Sequence, residues 1–175
     1  MTTRVAAAGA LTLEPCRDSD FAWFLTGRGG RPGLRLPPGG VDTPEALVVV
    51  RSIHAAAGGD AAPPTWMMVV GDEVVGLCGR SRPDGDGLAE IGYSVAPERR
   101  GRGHATAAVA LLALALLADP KVAAVVAVTT LTNTPSHRAL ERNGFVETGR
   151  ETRPDDGPVI LWRRDRDAPV STTQG

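Results

Sequence analysis

The chain has 175 residues, 42% of them apolar, with a formal net charge of -1 and a pI near 6.3. That length suits one domain with a sizeable single core. The balanced charge excludes a dedicated nucleic-acid binder with a basic face, so any basic patch must be local.

The opening MTTRVAAAGALTLEP has too short an apolar run and too weak a charged start for a signal peptide, and the expectation is a cytoplasmic protein. Leu11 to Leu13 alternates as a short strand would, and Asp18 or Ser19 is suited to cap a helix carrying Phe21, Phe24 and Leu25. Gly27 to Gly40 is dense in Gly, Pro and Arg and reads as a surface loop. Thr43, Pro44 and Glu45 mark a helix start, and the helix should end near Gly58 with Leu47, Val50, Ile53 and His54 on one face.

Three β-rich runs follow, Thr65 to Val70, Glu73 to Ser81 and Leu88 to Val95, parted by Gly71-Asp72 and by Pro83-Asp84-Gly85-Asp86-Gly87. Such turns predict an antiparallel meander. Next come a long Ala/Leu helix from about Gly103 to Ala118, a strand from Val122 to Thr130 and a short helix from Pro135 to Arg142. Strands are expected at Phe145 to Thr148 and Val159 to Arg163, and Asp165 to Gly175 is expected to be a disordered tail. The longest apolar stretch, Ala105 to Ala118, is short of the roughly 20 residues a membrane span needs, so no membrane association is expected. Cys16 and Cys78 lie far apart, and His54, His104 and His137 have no ligand spacing; two buried thiols and no metal are expected. Trp23, Trp66 and Trp162 read as core or pocket wall and carry no assigned role.

The most informative segment is Val95 to Ala105, VAPERRGRGHA, which joins a strand end to a helix start. A helix N-terminus offers unpaired N–H groups and partial positive charge, and so holds a phosphate. Gly101 and Gly103 let the backbone approach such a group, while Arg99, Arg100 and Arg102 add positive charge. The turn lacks GxxxxGK[ST], and it follows a meander rather than opening a βαβ unit, so neither a P-loop nor a dinucleotide fingerprint fits. A tight, solvated basic loop is the alternative to an anion site.

In its context the turn resembles the pyrophosphate motif [QR]xxGx[GA] of the GNAT acetyltransferases, with Arg100, Gly103 and Ala105 at the defined positions. EIGYSVAP followed by RRGRGHAT is similar to the RimJ/RimL-like branch, and Asn133, Ser136 and Asn143-Gly144-Phe145 match the downstream pattern. The resemblance covers about Leu11 to Arg163. It implies an α+β GNAT fold over residues 1–164: one domain with a mixed, mostly antiparallel, twisted and splayed sheet of about seven strands flanked by helices. It implies acetyl-CoA as cosubstrate, no metal, and direct acetyl transfer to a primary amine in a ternary complex. A small molecule and a peptide N-terminus both remain open as acceptor, as does monomer or homodimer. The competing reading is a catalytically silent acyl-CoA-binding regulatory module, because fold resemblance does not fix activity.

The resemblance also assigns residues. Tyr93, Ser94 and Val95 are expected to offer the strand edge to the pantetheine arm, with the Val95 N–H toward the carbonyl oxygen. Arg100, Gly101, Arg102, Gly103, His104, Ala105 and Thr106 are expected to hold the pyrophosphate. Gly92 reads as a β-bulge or a packing glycine. Glu90 is the candidate base or else a solvated strand charge. Leu140 stands where many relatives have an acidic Tyr, so Ser136 becomes the candidate acid, or else a first-turn helix serine. Asn133 is the candidate partner of the pantetheine arm, or else a cap.

Overall fold

The structure, a computed structural model, describes residues 5–8, 10–81, 86–154 and 156–167. One eight-stranded sheet runs in the order β1-β2-β3-β4-β5-β6-β8-β7. Its strands are β1 Val5–Ala8, β2 Leu11–Pro15, β3 Thr65–Val70, β4 Glu73–Arg80, β5 Leu88–Val95, β6 Ala124–Thr130, β7 Val146–Arg153 and β8 Gly157–Asp165. All neighbours are antiparallel except β5 and β6. The seven expected strands are present, and β1 is added at the edge of β2. Asp165, expected to open the tail, instead closes β8, and residues 168–175 of that tail lie outside the described residues.

Each helix begins where its sequence leaves N–H groups to be satisfied. In α1 (Asp18–Thr26) the cap is Arg17 rather than Asp18 or Ser19, and the Asp20 carboxylate accepts the Arg17 N–H at 2.7 Å. In α2 (Pro44–Ala56) Thr43 Oγ1 accepts the Ala46 N–H at 3.3 Å, and Pro44 occupies the first turn, where its missing N–H costs nothing. The third helix, α3 (His104–Leu117), starts at Gly103 with no capping side chain, and α4 (Thr134–Glu141) is capped by Asn133.

The sheet carries a core on each face. On one, Phe21, Phe24, Leu47, Met67 and Leu77 pack under α1 and α2. On the other, Leu112, Val109, Ile91, Val125 and Leu140 pack under α3 and α4. No helix of the described residues is long and apolar enough to cross a membrane, consistent with the short apolar stretch that forms α3.

The sheet splays in one place. The β5–β6 pairing runs only from Leu88↔Ala124 to Ile91↔Ala127. Beyond it β5 stays with β4 as far as Val95, while β6 stays with β8 as far as Thr130. Gly92 therefore sits at the fork. The bulge expected there does not form: β4 and β5 pair without interruption from Arg80↔Ile91 to Gly76↔Val95, and the irregularity lies instead between Met68 and Val69 of β3. Gly92 lies directly opposite a second glycine, Gly79, and the strands pair one residue to one, so no extra residue is present to bulge.

Candidate active site

Backbone direction at the fork follows from the ladder. The Ser81 N–H donates to Glu90 O and the Ala96 N–H to Val75 O, both toward β4. In an antiparallel pair alternate residues point the other way. Tyr93 and Val95 thus direct their N–H groups away from β4, into the gap left by β6. The Val95 carbonyl accepts Nε of Arg100 at 3.1 Å, which pins the start of the glycine-rich turn to the end of β5.

A cavity of about 720 Å3 occupies this gap. Tyr93, Ser94 and Val95 form one wall; Arg100, Gly101 and Gly103 form the turn; His104, Ala105 and Thr106 supply the first turn of α3. Asn133 and Ser136 close it from α4. Gly101 and Gly103 have φ of +75° and +79°, a backbone region that disfavours any side chain. A Cβ on either glycine meets nothing within 4 Å, so the demand there is conformational and the space in front stays open. Since α3 has no capping side chain, its first N–H groups face the cavity. Burial, aided by Arg102 and Arg99, pulls the half-buried His104 below the usual imidazole range, so at neutral pH its ring is uncharged.

The cationic lining differs from the sequence expectation. Arg99 turns its guanidinium onto Glu73 (Nη2 to Oε1 2.9 Å), a carboxylate that is 7% exposed and is also paired with Arg35. Hydrogen bonding from Arg99, with support from Arg35, holds the Glu73 carboxyl below the usual range. Arg99 thus lines the cavity while its guanidinium is tied to Glu73. Arg102 is exposed and does not line the cavity, whereas Arg138 and Arg142 of the opposite wall do. Their spacing of four on α4 puts both on one face, a signal present in the sequence and missed.

Asn133 caps α4, its Oδ1 accepting the Ser136 N–H at 3.3 Å. Its Oδ1 therefore serves the helix, the capping role that the sequence offered as the alternative. Asn143 is buried and donates to Thr106 O (3.0 Å) and Ala139 O (2.8 Å), tying the first turn of α3 to α4 and fixing the cavity width. The Tyr93 hydroxyl reaches across the gap to the Ser136 carbonyl at 3.4 Å, and burial raises it above the usual phenol range. The sequence motif signals only the backbone of Tyr93, and the place of its side chain emerges from the packing of β5 against α4.

A second, smaller cavity of about 220 Å3 lies on the α2 side of the sheet. Val50 and Ile53 of α2, Leu77 and Gly79 of β4, and Gly92 and Ser94 of β5 line it, with Asp42, Arg80 and Ser81 also contributing. Tyr93 and Ser94 belong to both cavities, so the two meet at the fork. Glu90 lines neither; its Oε1 accepts the Ser81 hydroxyl at 2.8 Å and its Oε2 lies 3.8 Å from Nη2 of Arg153. Burial drives the Cys16 thiol well up, and the Cys78 thiol likewise, so neither is a thiolate nucleophile at neutral pH. No group of His, Cys, Asp and Glu that could hold a metal ion occurs among the described residues.

The glycine requirement is testable. Gly103→Val places a β-branched side chain at positive φ, which costs about 1–3 kcal/mol and is relieved by moving the turn. Acetyl-CoA affinity measured by calorimetry is expected to fall by about tenfold or more in a variant that remains folded. Unchanged affinity would show that the turn does not hold the phosphates.

The sequence profile of the Acetyltransferase (GNAT) domain matches residues 10–146. No curated protein sequence matches the chain significantly. Among solved structures, RimL, the ribosomal L7/L12 alpha-N-protein acetyltransferase in complex with coenzyme A, is similar at TM-score 0.71 and 15% identity, covering 95% of this chain and 100% of that one. RimJ of Mycobacterium smegmatis, in complex with CoA-disulfide, gives TM-score 0.65 and 23% identity, covering 89% of this chain and 81% of that one. The aminoglycoside acetyltransferase AAC(6')-Ib in complex with coenzyme A gives TM-score 0.63 and 22% identity, covering 89% and 95%. With the profile spanning most of the chain and the splayed sheet in place, the chain belongs to the GNAT acetyltransferase family and is an acyltransferase of that family.

Proposed function

We propose that the chain is an N-acetyltransferase that moves the acetyl group of acetyl-CoA directly to a primary amine in a ternary complex. The observation that carries the proposal is the meeting of two cavities at Tyr93 and Ser94, one on each face of the sheet. Two molecules can thus approach a single point from opposite faces of the sheet, meeting at Tyr93 and Ser94. Acetyl-CoA fits the larger cavity on three counts: an uncapped helix N-terminus, glycines that admit close backbone approach, and Arg100, Arg138 and Arg142 around it. When bound, it supplies an acetyl group activated as a thioester.

The chain's residues then have separable tasks. Tyr93 and Val95 offer N–H groups to the pantetheine arm, and that of Val95 is directed to where charge gathers on the acetyl oxygen. The acceptor nitrogen loses a proton as it gains the acetyl group, and Glu90 takes that proton through the Ser81 hydroxyl. The departing sulfur gains a proton, for which Ser136 is the expected donor. A second reading gives that task to Tyr93, whose side chain lines the same cavity and whose hydroxyl lies 3.4 Å from the Ser136 backbone carbonyl. The protonated thiols of Cys16 and Cys78 support direct transfer over an acetyl-cysteine route.

The deciding experiment is thiol release from acetyl-CoA against a panel of amines, with coenzyme affinity measured in parallel. Binding without release for every amine would establish the silent module. The affinity itself is expected to fall between low and physiological salt, because local cations must supply attraction that a chain of net charge -1 does not. In Arg138→Ala/Arg142→Ala the affinity should be lower and its salt dependence shallower. An unaltered salt slope would mean that these side chains do not meet the phosphates.

A further inference from the structure

The smaller cavity has a chemistry of its own. Its floor is bare backbone, the facing pair Gly79 and Gly92. The two glycines are there for different reasons. A Cβ at Gly79 would lie 2.3 Å from the Pro64 carbonyl oxygen, so that glycine is demanded by the approach of neighbouring backbone. A Cβ at Gly92 meets only the Ser81 Cβ at 3.6 Å, an ordinary contact, and Gly92 has no positive φ. Neither packing nor backbone conformation requires a glycine at 92, and what its missing side chain leaves is room in the cavity.

The walls above that floor are apolar: Val50 and Ile53 on α2 and Leu77 on β4. Asp42 is the one carboxylate residue among the lining, and Arg80 brings an opposing charge. A polyamine or aminoglycoside would bring several ammonium groups into a site with one acidic residue, and each unpaired charge taken from water is costly. The volume of about 220 Å3 is also below the roughly 300–1,000 Å3 of pockets that enclose drug-sized ligands. Beyond its first residue a polypeptide would need an open groove or an unpaired strand edge, and β4 and β5, paired to each other throughout this floor, offer no such edge.

We infer that the acceptor cavity takes a compact amine with a single ammonium on a short apolar body, held over Gly92 with its nitrogen at the fork between Ser81 and Ser94. The inference rests on the transferase reading for its label as an acceptor site, but the cavity's ligand can be measured without turnover.

The test uses the full chain with benzylamine, spermidine, kanamycin and a tetra-alanine peptide. Calorimetric titration of each into CoA-saturated protein is expected to show benzylamine binding most tightly, and thiol release from acetyl-CoA should show it with the highest kcat/KM. Gly92→Val, which fills the floor, should reduce benzylamine binding and use by about tenfold or more, as a few methylenes in an apolar pocket typically decide. Its affinity for CoA should be unchanged. Ile53→Trp fills the same space from α2 and repeats the test should the strand not accept valine. Tighter binding or faster use of spermidine, kanamycin or the peptide overturns the inference, as does undiminished benzylamine binding in both filled variants. Benzylamine binding that Gly92→Val abolishes, with no thiol release from any amine, supports the inference while sinking the transferase reading.

Discussion

Tyr93→Phe is expected to lower kcat by about 10²- to 10⁴-fold, the usual cost of removing a proton-transfer group, with little change in coenzyme affinity. The reason lies in acidity and reach together. A phenol titrates near 10 and a thiol near 8.5, so a tyrosine is far closer to matching a departing thiolate than a serine hydroxyl is. Burial raises Tyr93 further, which keeps its proton in place throughout the neutral and mildly alkaline range. The phenol lies 3.4 Å from the Ser136 backbone carbonyl, and both residues line the one cavity. Ser136→Ala should then cost less than Tyr93→Phe, and the double variant little more than Tyr93→Phe alone, because residues acting as a unit are not additive. The pH profile of the wild type should show no alkaline loss attributable to Tyr93 below its raised range. Wild-type rates in Tyr93→Phe, with a large loss in Ser136→Ala, would return the role to the serine.

What the sequence made legible was local. Thr43-Pro44 before α2 and the glycines before α3 specify their own backbone, and the helices appear within a residue or two of the expected limits. The meander was legible because Gly71-Asp72 lies between two apolar strands. The edge strand β7 was seen only as far as Thr148, although it runs to Arg153, since an exposed strand need not alternate and VETGRETR does not. β1 was missed for a related reason: four residues, mostly alanine, carry no period.

The site divides in the same way. Arg100, Gly103 and Thr106 are adjacent in the chain and were found together. Arg99 lines the cavity as its place in the turn suggests, but its pairing with Glu73 is not legible, because that carboxylate is distant in sequence. The second cavity is built by α2, β4 and β5, and no single segment announces it. For Gly92 the sequence leaves a bulge and a packing glycine both open, since its partner across the ladder, Gly79, becomes visible only with the register.

Glu90→Gln is expected to lower turnover by about 10²- to 10⁴-fold at neutral pH when the acceptor is an amine mostly protonated there. Part of the loss should be recovered at high pH, where the acceptor sheds its proton to solvent before binding. The geometry gives this expectation a second handle. Glu90 lines neither cavity, but it accepts the hydroxyl of Ser81, and Ser81 lines the smaller one. A proton leaving the amine can pass to Ser81 Oγ as the Ser81 proton passes to Glu90, so both oxygens must be present. Ser81→Ala should therefore show the same neutral-pH loss and the same alkaline recovery, unless a water occupies the place of the hydroxyl. Coenzyme affinity should be untouched in both variants, because neither residue lines the larger cavity. Arg153 supplies the competing account. Its guanidinium lies 3.8 Å from Glu90, and a carboxylate that serves only this ion pair would alter stability on removal, not the pH dependence of kcat. Thermal unfolding of Glu90→Gln and Arg153→Gln separates the two roles. A lowered Tm shared by both variants, with wild-type turnover and an unaltered pH profile in Glu90→Gln, would leave Glu90 as a strand-to-strand tie and the proton to water.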